Sequence, residues 1–423
     1  MRKLFIVLLF TWPLSGSAQF ADTLRVATYN LLYYGTNTNF CTTGNNNVAT
    51  KNGHFKTILN HIKPHVLGVQ EMGSVSHSVG FLQSVLNTDG ETRWTRAPFL
   101  NTAGSNLVCV LYYDTTKLAY QSHQAIATSL RDIAFYTLYY KQIPWNNDTI
   151  FMHFAVMHLK AGSTAADEAQ RAQEINAMLT YLNSVNFKGN LVIMGDFNVN
   201  GSSEACYQAL LNAANQHIRL YDPVNQPGNW SSNASFAAYH TQAPMITGNG
   251  CTSGGGLDDR LDHIMINNWV RQDSARVYYI PGSYVTVGND GLRYNGAVNN
   301  PANQQVSPAV ANALIAASDH LPVRLDLRIN LAGDVSTEPL YNPIYFRASV
   351  YGRNLRLWSE GNASSSIVVM ISDLAGKIVK SEIFAVSAGF ETTLNLESLP
   401  AGVYVLSWKD KNGIHDRLKI SLP

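Results

Sequence analysis

The sequence predicts an α/β (α+β) protein with a large domain over residues 19–332 and a small β-sandwich over residues 346–423. In the first part, apolar strand-like runs alternate with helical segments, which is typical of sheets flanked by helices. Beyond residue 345, only short alternating runs occur, and turn signals such as Asn412-Gly413 separate them. Residues 333–345 carry Gly, Pro, Ser and Thr without periodicity, so they are interpreted as a linker.

Strands and helices of the first part are indicated by runs of apolar residues that end at polar or turn-forming residues. The predicted strands are residues 23–29, 65–70, 107–113, 133–143, 149–158, 190–194, 260–266 and 321–329. Helices are predicted over residues 53–62 and 203–212, and a capping box of Thr164 and Asp167 opens another helix between them. The apolar face of that helix comprises Ala172, Ile175, Leu179 and Leu182. Residues 225–256 are rich in Asn, Ser, Gly and Gln and are interpreted as a long functional loop.

The N-terminus has the three regions of a secretory signal peptide. Basic Arg2 and Lys3 precede the apolar run Leu4 to Trp12, and small residues follow up to Ala18. We therefore expect removal of residues 1–18 and export of the mature chain, which we expect to act as a monomer. The apolar run is too short to span a bilayer, and we expect no other transmembrane segment.

The charge balance excludes one class of nucleic-acid-binding protein. The chain has 30 Lys and Arg against 29 Asp and Glu, so its net charge is +1 and it lacks the basic excess of a stably DNA-bound protein. A nuclease that releases its product is not excluded. Four cysteines would meet an oxidising compartment, and a disulfide among them is open to three pairings. They are Cys41, Cys109, Cys206 and Cys251, and none has the CxxC spacing of a zinc site.

The segment Gly195 to Asn198 directly follows the buried strand at residues 190–194. Asp196 and Asn198 are two residues apart and would share one face of an extended chain. A carboxylate can hold a nucleophilic water while an amide donates to a phosphoryl oxygen, although this segment alone is equally typical of a turn.

Polar residues that can bind a metal or a phosphate end nearly every predicted strand of the first part. They are Asn30, Glu71, His158, Asp196, Asn198, Asp262, Asp319 and His320. Each of these residues can also be interpreted as a purely structural residue, namely a cap, a surface side chain or a loop residue. Two packed sheets can present such strand ends as one cluster along a single edge, and this shared cause explains the whole set.

These residues lie in motifs that resemble those of the endonuclease/exonuclease/phosphatase superfamily, which includes deoxyribonuclease-I-like nucleases, neutral sphingomyelinases and inositol polyphosphate phosphatases. The resemblance covers about residues 22–330. The motifs are TYN at 28–30, QE at 70–71, HLK at 158–160, GDFN at 195–198, RLDHI at 260–264 and SDHLPV at 318–323. The resemblance implies a four-layer α/β sandwich of two mixed sheets with helices outside.

A divalent cation is the cofactor that this resemblance implies. Glu71 would be its principal ligand, with Asn30 and Asp319 close by. Hard oxygen ligands and few carboxylates suit Mg²⁺ or Mn²⁺, which would complete their coordination with water and substrate phosphate.

The resemblance also assigns catalytic roles. His320 would act as a general base or phosphate contact, and Asp262 would orient it. Asp196 would hold or deprotonate the attacking water while Asn198 contacts the phosphate. His158 would neutralise a phosphoryl oxygen or protonate the leaving group.

Four further residues of these motifs and the neighbouring helix have weaker roles. Lys160, Arg171 and Ser318 are candidates for substrate binding. The apolar face of the helix that carries Arg171 lies elsewhere, so a solvated charge is an equal interpretation of that residue. Arg260 is expected to form a structural salt bridge.

The C-terminal part resembles the sorting domain of proteins exported by the type IX secretion system. The matching segments are residues 372–379, 394–408 and 417–423. This implies an interaction with the export machinery, followed by release or cell-surface attachment. A generic carbohydrate- or protein-binding sandwich is the alternative.

The leading hypothesis is a secreted metal-dependent phosphodiesterase, with a nuclease that hydrolyses DNA or RNA as the first choice. A phospholipid phosphodiesterase or a phosphomonoesterase on the same fold is the first alternative, because motifs around the reacting phosphate are shared. A non-catalytic surface binding module is the second, and it would have lost the metal carboxylate or the Asp/His pair.

Overall fold

A computed structural model describes residues 21–141, 149–331, 345–360, 365–374, 376–386, 390–410 and 413–422. The chain divides into two compact units, Met1–Asp334 and Val335–Pro423. The predicted signal peptide and the predicted linker, apart from Tyr345, lie outside the described residues.

The described part of the first unit contains thirteen strands and six α-helices. The strands are β1 (Ala21–Tyr34), β2 (Val66–Met72), β3 (Trp94–Arg96), β4 (Val108–Asp114), β5 (Leu118–Ile126), β6 (Ile133–Tyr140), β7 (Phe151–His158), β8 (Asn190–Asp196), β9 (Leu220–Tyr221), β10 (Asp262–Asn267), β11 (Val277–Tyr279), β12 (Val285–Thr286) and β13 (Val323–Asn330). The helices are α1 (Val48–Ile62), α2 (Val75–Phe81), α3 (Ala165–Ser184), α4 (Ala205–Leu211), α5 (Asn268–Arg271) and α6 (Pro308–Ala317).

Two mixed sheets contain these strands. The first has the order β11-β13-β1-β2-β4-β3, with β12 paired to β13, and the second has the order β5-β6-β7-β8-β10-β9. Each sheet has one parallel pair at its centre, β1 with β2 and β7 with β8. Helices α1 and α3 are the crossovers of these pairs, because parallel neighbours need a long connection. The carboxyl ends of β1 and β2 therefore lie at the same edge of the first sheet, and those of β7 and β8 lie at the same edge of the second.

The two sheets pack face to face with helices on both outer sides. Val26 of β1 and Met194 of β8 belong to the apolar core between the sheets. Phe55 of α1 lies in the core outside the first sheet, and Ile175 of α3 lies in the core outside the second. A Cβ atom at Gly68 would lie 2.7 Å from the sulfur of Met194, so glycine permits the close approach of the sheets. This arrangement confirms the predicted four-layer sandwich.

The central strands follow the predicted ones within a few residues, but the short strands β3, β9, β11 and β12 and the longer β5 were not predicted. The central residues of β5, Gln121 to Gln124, are mostly exposed or half-buried at the edge of the second sheet. An edge strand with little buried surface has a weak apolar pattern. Among the described residues, no helix combines the length and apolar character that crossing a membrane requires.

The second unit consists of antiparallel strands. They are β14 (Tyr345–Tyr351), β15 (Asn354–Glu360), β16 (Ser365–Ser372), β17 (Ile378–Val386), β18 (Glu391–Asn395), β19 (Gly402–Asp410) and β20 (Gly413–Leu422). One sheet has the order β14-β15-β18 and the other has the order β17-β16-β19-β20. Leu355 and Leu357 of the first sheet share a core with Ile367 and Leu406 of the second. The small β-sandwich predicted here is therefore confirmed.

Candidate active site

One edge of the first unit collects the polar residues at the ends of β7 and β8 and at the start of β10. His158, Asp196 and Asp262 are aligned across β7, β8 and β10, since Asp196 pairs with each of the other two in the sheet register. Side chains aligned in this way lie on the same face of the sheet. Met194, two residues before Asp196, lies in the core between the sheets. His158, Asp196 and Asp262 therefore lie on the face that packs against the other sheet, at the edge where the apolar core ends.

Asn30 of β1 connects the two sheets at this edge. Its Nδ2 atom donates to Glu71 Oε1 at 3.0 Å and to Asp196 Oδ2 at 3.1 Å, while its Oδ1 atom accepts from the Leu32 N–H. The side chain is fully buried. In this arrangement Asn30 positions two carboxylates with its amide nitrogen.

Glu71 reaches the site through an irregularity of β2. In a regular strand, successive side chains point to opposite faces of the sheet. The side chain of Glu71 would then point away from the face on which Gln70 bonds to Thr28. The register of β2 shifts between Val69 and Met72, and Glu71 has a φ of 60°, a left-handed conformation that costs on the order of 1–3 kcal/mol. Such strain persists where the surroundings enforce it, which indicates a functional position.

The environment of Glu71 is buried and negatively charged. Its Oε2 atom accepts the Tyr33 N–H at 2.8 Å. Burial raises the pKa of Glu71, and the nearby Asp319 carboxylate raises it further. A bound cation would offset both effects, so the electrostatics of this position suit a metal ion.

Asp319 supplies a second buried carboxylate to this region. Its Oδ2 atom accepts the Ser253 N–H at 2.8 Å, whereas its Oδ1 atom is buried and has no hydrogen-bond partner among the described residues. A buried acceptor without a donor is expensive unless a cation or water satisfies it. Oxygen donors of this kind match the ligand preference of Mg²⁺ or Mn²⁺. The residues present therefore fit a hard divalent cation.

Asp196, Asp262 and His320 also present ligand atoms within 4.8 Å of one another. However, His320 Nδ1 lies 2.8 Å from Asp262 Oδ2, which is a direct hydrogen bond that leaves no room for an ion between them. The Asp262–His320 pair is therefore closed by its own hydrogen bond.

His320 is held on both ring nitrogens. Nδ1 donates to Asp262, and Nε2 lies 2.8 Å from the side-chain amide nitrogen of Gln242 and 3.9 Å from Asp196 Oδ2. Burial lowers the pKa of His320, but the Asp262 and Asp196 carboxylates outweigh it, so the pKa lies well above its ordinary value. The two carboxylates thus favour an imidazolium at this position, whose Nε2–H would bond to the amide oxygen of Gln242 in place of its nitrogen.

His158 has the opposite electrostatic character. Its Nε2 atom lies 3.5 Å from Asp196 Oδ2 and 3.8 Å from Glu71 Oε1. Burial lowers the pKa of His158 well below its ordinary value, and the guanidinium of Arg131, which donates to the His158 carbonyl, lowers it further. His158 is therefore a neutral hydrogen-bonding group at pH 7.

Asp196 lies between the two histidines. Burial raises the pKa of Asp196, and the carboxylates of Asp262 and Glu71 act in the same direction against the opposing effect of His320. The preceding Gly195 has a φ of 144°, and a Cβ atom there would lie 1.9 Å from the Met157 carbonyl oxygen. Glycine is thus required for β7 and β8 to bring their last residues together.

Two predicted residues support the site through the backbone. Asn198 donates its N–H to Asp196 Oδ1 and its side-chain Nδ2 to the Leu159 carbonyl, and it has a φ of 52°. Ser318 donates its hydroxyl to the Asn30 carbonyl and accepts the His320 N–H. Both residues lie next to the cluster and fix its loops.

Lys160 and Arg171 are not brought into the cluster. The Lys160 ammonium pairs with Asp167 at 2.6 Å. Arg171 is fully buried, donates to Glu204 at 2.8 Å, and also donates to the carbonyls of Lys160 and Gly162. The interpretation of Arg171 as a solvated charge was wrong, because the polar groups of two loops surround its side chain.

Arg260 forms a two-point ion pair with Asp222, at 2.7 and 2.9 Å, and both side chains are buried. This confirms the structural salt bridge expected from the sequence. It fixes the strand that begins at Asp262.

Several contacts of the site had no sequence signal. Gln242 contacts His320, and the Thr241 hydroxyl accepts the Asp262 N–H. Tyr33 and Ser253 contribute only their backbone N–H groups, for which any residue type would serve. Gln242 and Ser253 do fall within the loop at residues 225–256 that composition marked as functional.

The disulfide left open by the sequence joins Cys41 to Cys251. Cys109 and Cys206 are buried free thiols. The bridge connects the loop after β1 with the loop before β10, and both loops border the site.

Comparison with solved structures finds similarity to the endonuclease/exonuclease/phosphatase fold. A family protein from Bacteroides thetaiotaomicron is 13% identical, covering 77% of this chain and 100% of that chain with a TM-score of 0.48. A mannosyl-6-phosphatase from the same organism is 13% identical, covering 72% and 99% with a TM-score of 0.46. The human Nocturnin catalytic domain is 16% identical, covering 73% and 97% with a TM-score of 0.44.

The C-terminal unit gives a direct family match, whereas no curated protein matches the chain. Residues 355–420 match the model of the secretion system C-terminal sorting domain. The resemblance predicted for this unit is confirmed, and the chain carries a C-terminal secretion sorting domain.

Proposed function

We propose that this protein is a secreted, divalent-metal-dependent phosphodiesterase that hydrolyses DNA or RNA. The observation that carries the proposal is the convergence of two sets of buried groups at one sheet edge. Glu71 and Asp319 are buried carboxylates that would supply oxygen donors to a cation, and Asp262 with His320 forms a hydrogen-bonded carboxylate–imidazole pair. Asp196 lies beside both sets.

The cation site would be formed by Glu71 and Asp319, with Asn30 adjacent. Mg²⁺ or Mn²⁺ bound there would act as a Lewis acid on a phosphoryl oxygen. Asn30 orients Glu71 through its amide nitrogen and uses its Oδ1 to accept the Leu32 N–H, so a positioning role is proposed here in place of the metal-ligand role expected from the sequence. The carboxylate geometry is thus prepared before substrate binds.

Hydrolysis requires a water to attack phosphorus while the bond to the leaving oxygen breaks. Asp196 is proposed to take the proton from that water, because burial makes this carboxylate more basic. His320, as an imidazolium held by Asp262, would stabilise the negative charge of the phosphoryl oxygens. His158, as a neutral imidazole, would donate a hydrogen bond through Nε2–H to a phosphoryl or leaving oxygen while keeping its proton, and the leaving oxygen would take its proton from bulk water.

A phospholipid phosphodiesterase is the second candidate, and a specific observation favours it. Phe40 and Ile246 are 52% and 60% exposed on the two loops that the disulfide joins beside the site. Exposed apolar side chains on adjacent loops suit a lipid surface. A phosphomonoester would use the same central groups. The non-catalytic alternative is disfavoured, since Glu71, Asp319 and the Asp262–His320 pair are all present.

The export route is proposed from both ends of the chain. Residues 1–18 would direct export and be removed, and residues 19–332 would form the catalytic domain. The match of residues 355–420 supports passage through type IX machinery and an extracellular or cell-surface location. The Cys41–Cys251 disulfide bond is compatible with an oxidising compartment.

The experiment that tests this proposal offers the purified mature chain plasmid DNA, RNA, sphingomyelin and a chromogenic phosphodiester, with Mg²⁺ or EDTA. Plasmid nicking that EDTA abolishes and Glu71→Gln lacks would support the nuclease. Lipid cleavage with intact DNA would replace it by the second candidate. Absence of hydrolysis on all four substrates, with folded protein, would contradict the enzymatic proposal for these substrate classes.

A further inference from the structure

The Cys41–Cys251 disulfide joins two loops that are 210 residues apart in sequence. Both half-cystines are buried, and they pack against Leu32 and Tyr33 in a small apolar cluster beside the site. The same loops are also joined by hydrogen bonds between Asn45 and Asn249, at 2.9 and 3.3 Å. The connection is therefore a compact contact and not an isolated covalent bond.

The Cys41 side of this contact covers a strained turn. Leu32 and Tyr33 have φ values of 49° and 46°, which non-glycine residues adopt at a cost on the order of 1–3 kcal/mol each. In this conformation the Leu32 N–H donates to Asn30 Oδ1 and the Tyr33 N–H donates to Glu71 Oε2. The turn directs its backbone donors at the residues that hold the site.

The same turn is held from the protein interior by a buried lysine. Lys51 Nζ donates to the carbonyls of Leu31 and Leu32 at 2.7 and 2.8 Å, and to the side chain of Asn46 at 2.7 Å. The disulfide packs against the turn from the loop side. Two independent supports thus enforce a backbone shape that would otherwise relax.

The Cys251 side reaches the second carboxylate. Asn249 Oδ1 accepts the N–H groups of Cys251 and Thr252, which forms a tight turn at the half-cystine. The next residue, Ser253, donates its N–H to Asp319 Oδ2 at 2.8 Å. Each end of the disulfide is therefore linked to one carboxylate of the candidate cation site.

We infer that the Cys41–Cys251 disulfide is a positioning element of the cation site, which fixes the turn at Leu32–Tyr33 and the loop at Ser253, whose N–H groups orient Glu71 and Asp319. The inference rests on the proposed function in assigning these carboxylates to a metal. Breaking the bond would free both loops together, so cation affinity would fall while the four-layer core stays intact. The site would then be complete only after oxidation of the exported chain.

The test compares the full mature chain with the double variant Cys41→Ser/Cys251→Ser. Two measurements are made: amide hydrogen exchange of the segments containing Tyr33 and Ser253, and Mn²⁺ affinity by calorimetry. We expect faster exchange in both segments and a weakening of Mn²⁺ binding of about 10-fold or more, the range for lost outer-shell contacts. Cys206→Ala, which removes a buried free thiol, is the control and should leave both unchanged.

Reduction of the folded wild-type chain by a phosphine provides a second route if the double variant does not fold. The reduced protein should show the same two changes, and the double variant should not respond to the reductant. Unchanged exchange at Tyr33 and Ser253 after the bond is broken would overturn the inference, as would unchanged Mn²⁺ affinity. Failure of the oxidised wild type to bind Mn²⁺ would instead count against the proposed function, and hydrogen exchange would still decide the positioning.

Discussion

Replacement of Asp262 by Asn isolates the charge of the carboxylate–imidazole pair. The amide has nearly the same volume and can still accept a hydrogen bond from His320 Nδ1, which now lies 2.8 Å from Asp262 Oδ2. Only the negative charge is removed from a fully buried position. Two unit charges about 4 Å apart interact by about 4 kcal/mol at an effective dielectric constant of 20.

If His320 carries its positive charge in the transition state, loss of this interaction should lower kcat by about a thousandfold, at about 1.4 kcal/mol per factor of ten. The assay is steady-state hydrolysis of a chromogenic phosphodiester with saturating Mg²⁺, accompanied by thermal unfolding. Asp326→Asn is the matched control, because Asp326 pairs with Arg25 at 2.7 Å toward the other end of β1 and β13. Retention of kcat within about threefold by folded Asp262→Asn would refute the charge-stabilisation argument.

Three further predictions test the cation site and its supports. Glu71→Gln should weaken Mn²⁺ binding at least about 10-fold in calorimetry without lowering Tm, and an unchanged Kd would contradict the ligand assignment. Burial lowers the pKa of Lys51 to about 7, so between pH 7 and about 10 the unfolded chain retains a proton that the native lysine has lost. Urea unfolding in EDTA should therefore show wild-type stability rising with pH relative to Lys51→Met, by up to about 1.4 kcal/mol per pH unit; parallel pH profiles would disprove the shift. Arg171→Met should lower the free energy of unfolding by about 3–5 kcal/mol because Glu204 stays buried without its partner. Adding Glu204→Gln should recover part of that loss, and strictly additive effects in a double-mutant cycle would argue against coupling.

The sequence was sufficient for the fold and for the cluster of strand ends. Apolar runs predicted the central strands, and polar residues near the ends of β2 and β8 and at the start of β10 placed Glu71, Asp196 and Asp262 at a common edge. This works because strand ends in a packed sheet are constrained by the register. The capping box at Thr164 was also confirmed, since both its reciprocal hydrogen bonds form at the start of α3.

The remaining contacts could not be predicted because they depend on backbone groups or on distant loops. Tyr33 and Ser253 act through their N–H groups, which carry no residue-type signal. The pairing of Cys41 with Cys251 depends on how two polar loops meet, and local sequence does not encode that contact. The interpretation of Arg171 as a solvated charge was wrong because its partner, Glu204, is distant in the sequence. The hydrogen-bonded ion pair with Glu204 allows the Arg171 side chain to be buried.

The alignment of His158, Asp196 and Asp262 across three neighbouring strands has a consequence for divergence of substrate choice. Their spacing is fixed by the strand-to-strand repeat of the sheet, about 4.8 Å, and not by any loop. Loops such as residues 225–256 can therefore lengthen, shorten or change composition without altering the distances between the reacting groups. On the proposed chemistry, a scaffold of this kind can change which phosphoester it binds without moving the groups that act on the phosphate.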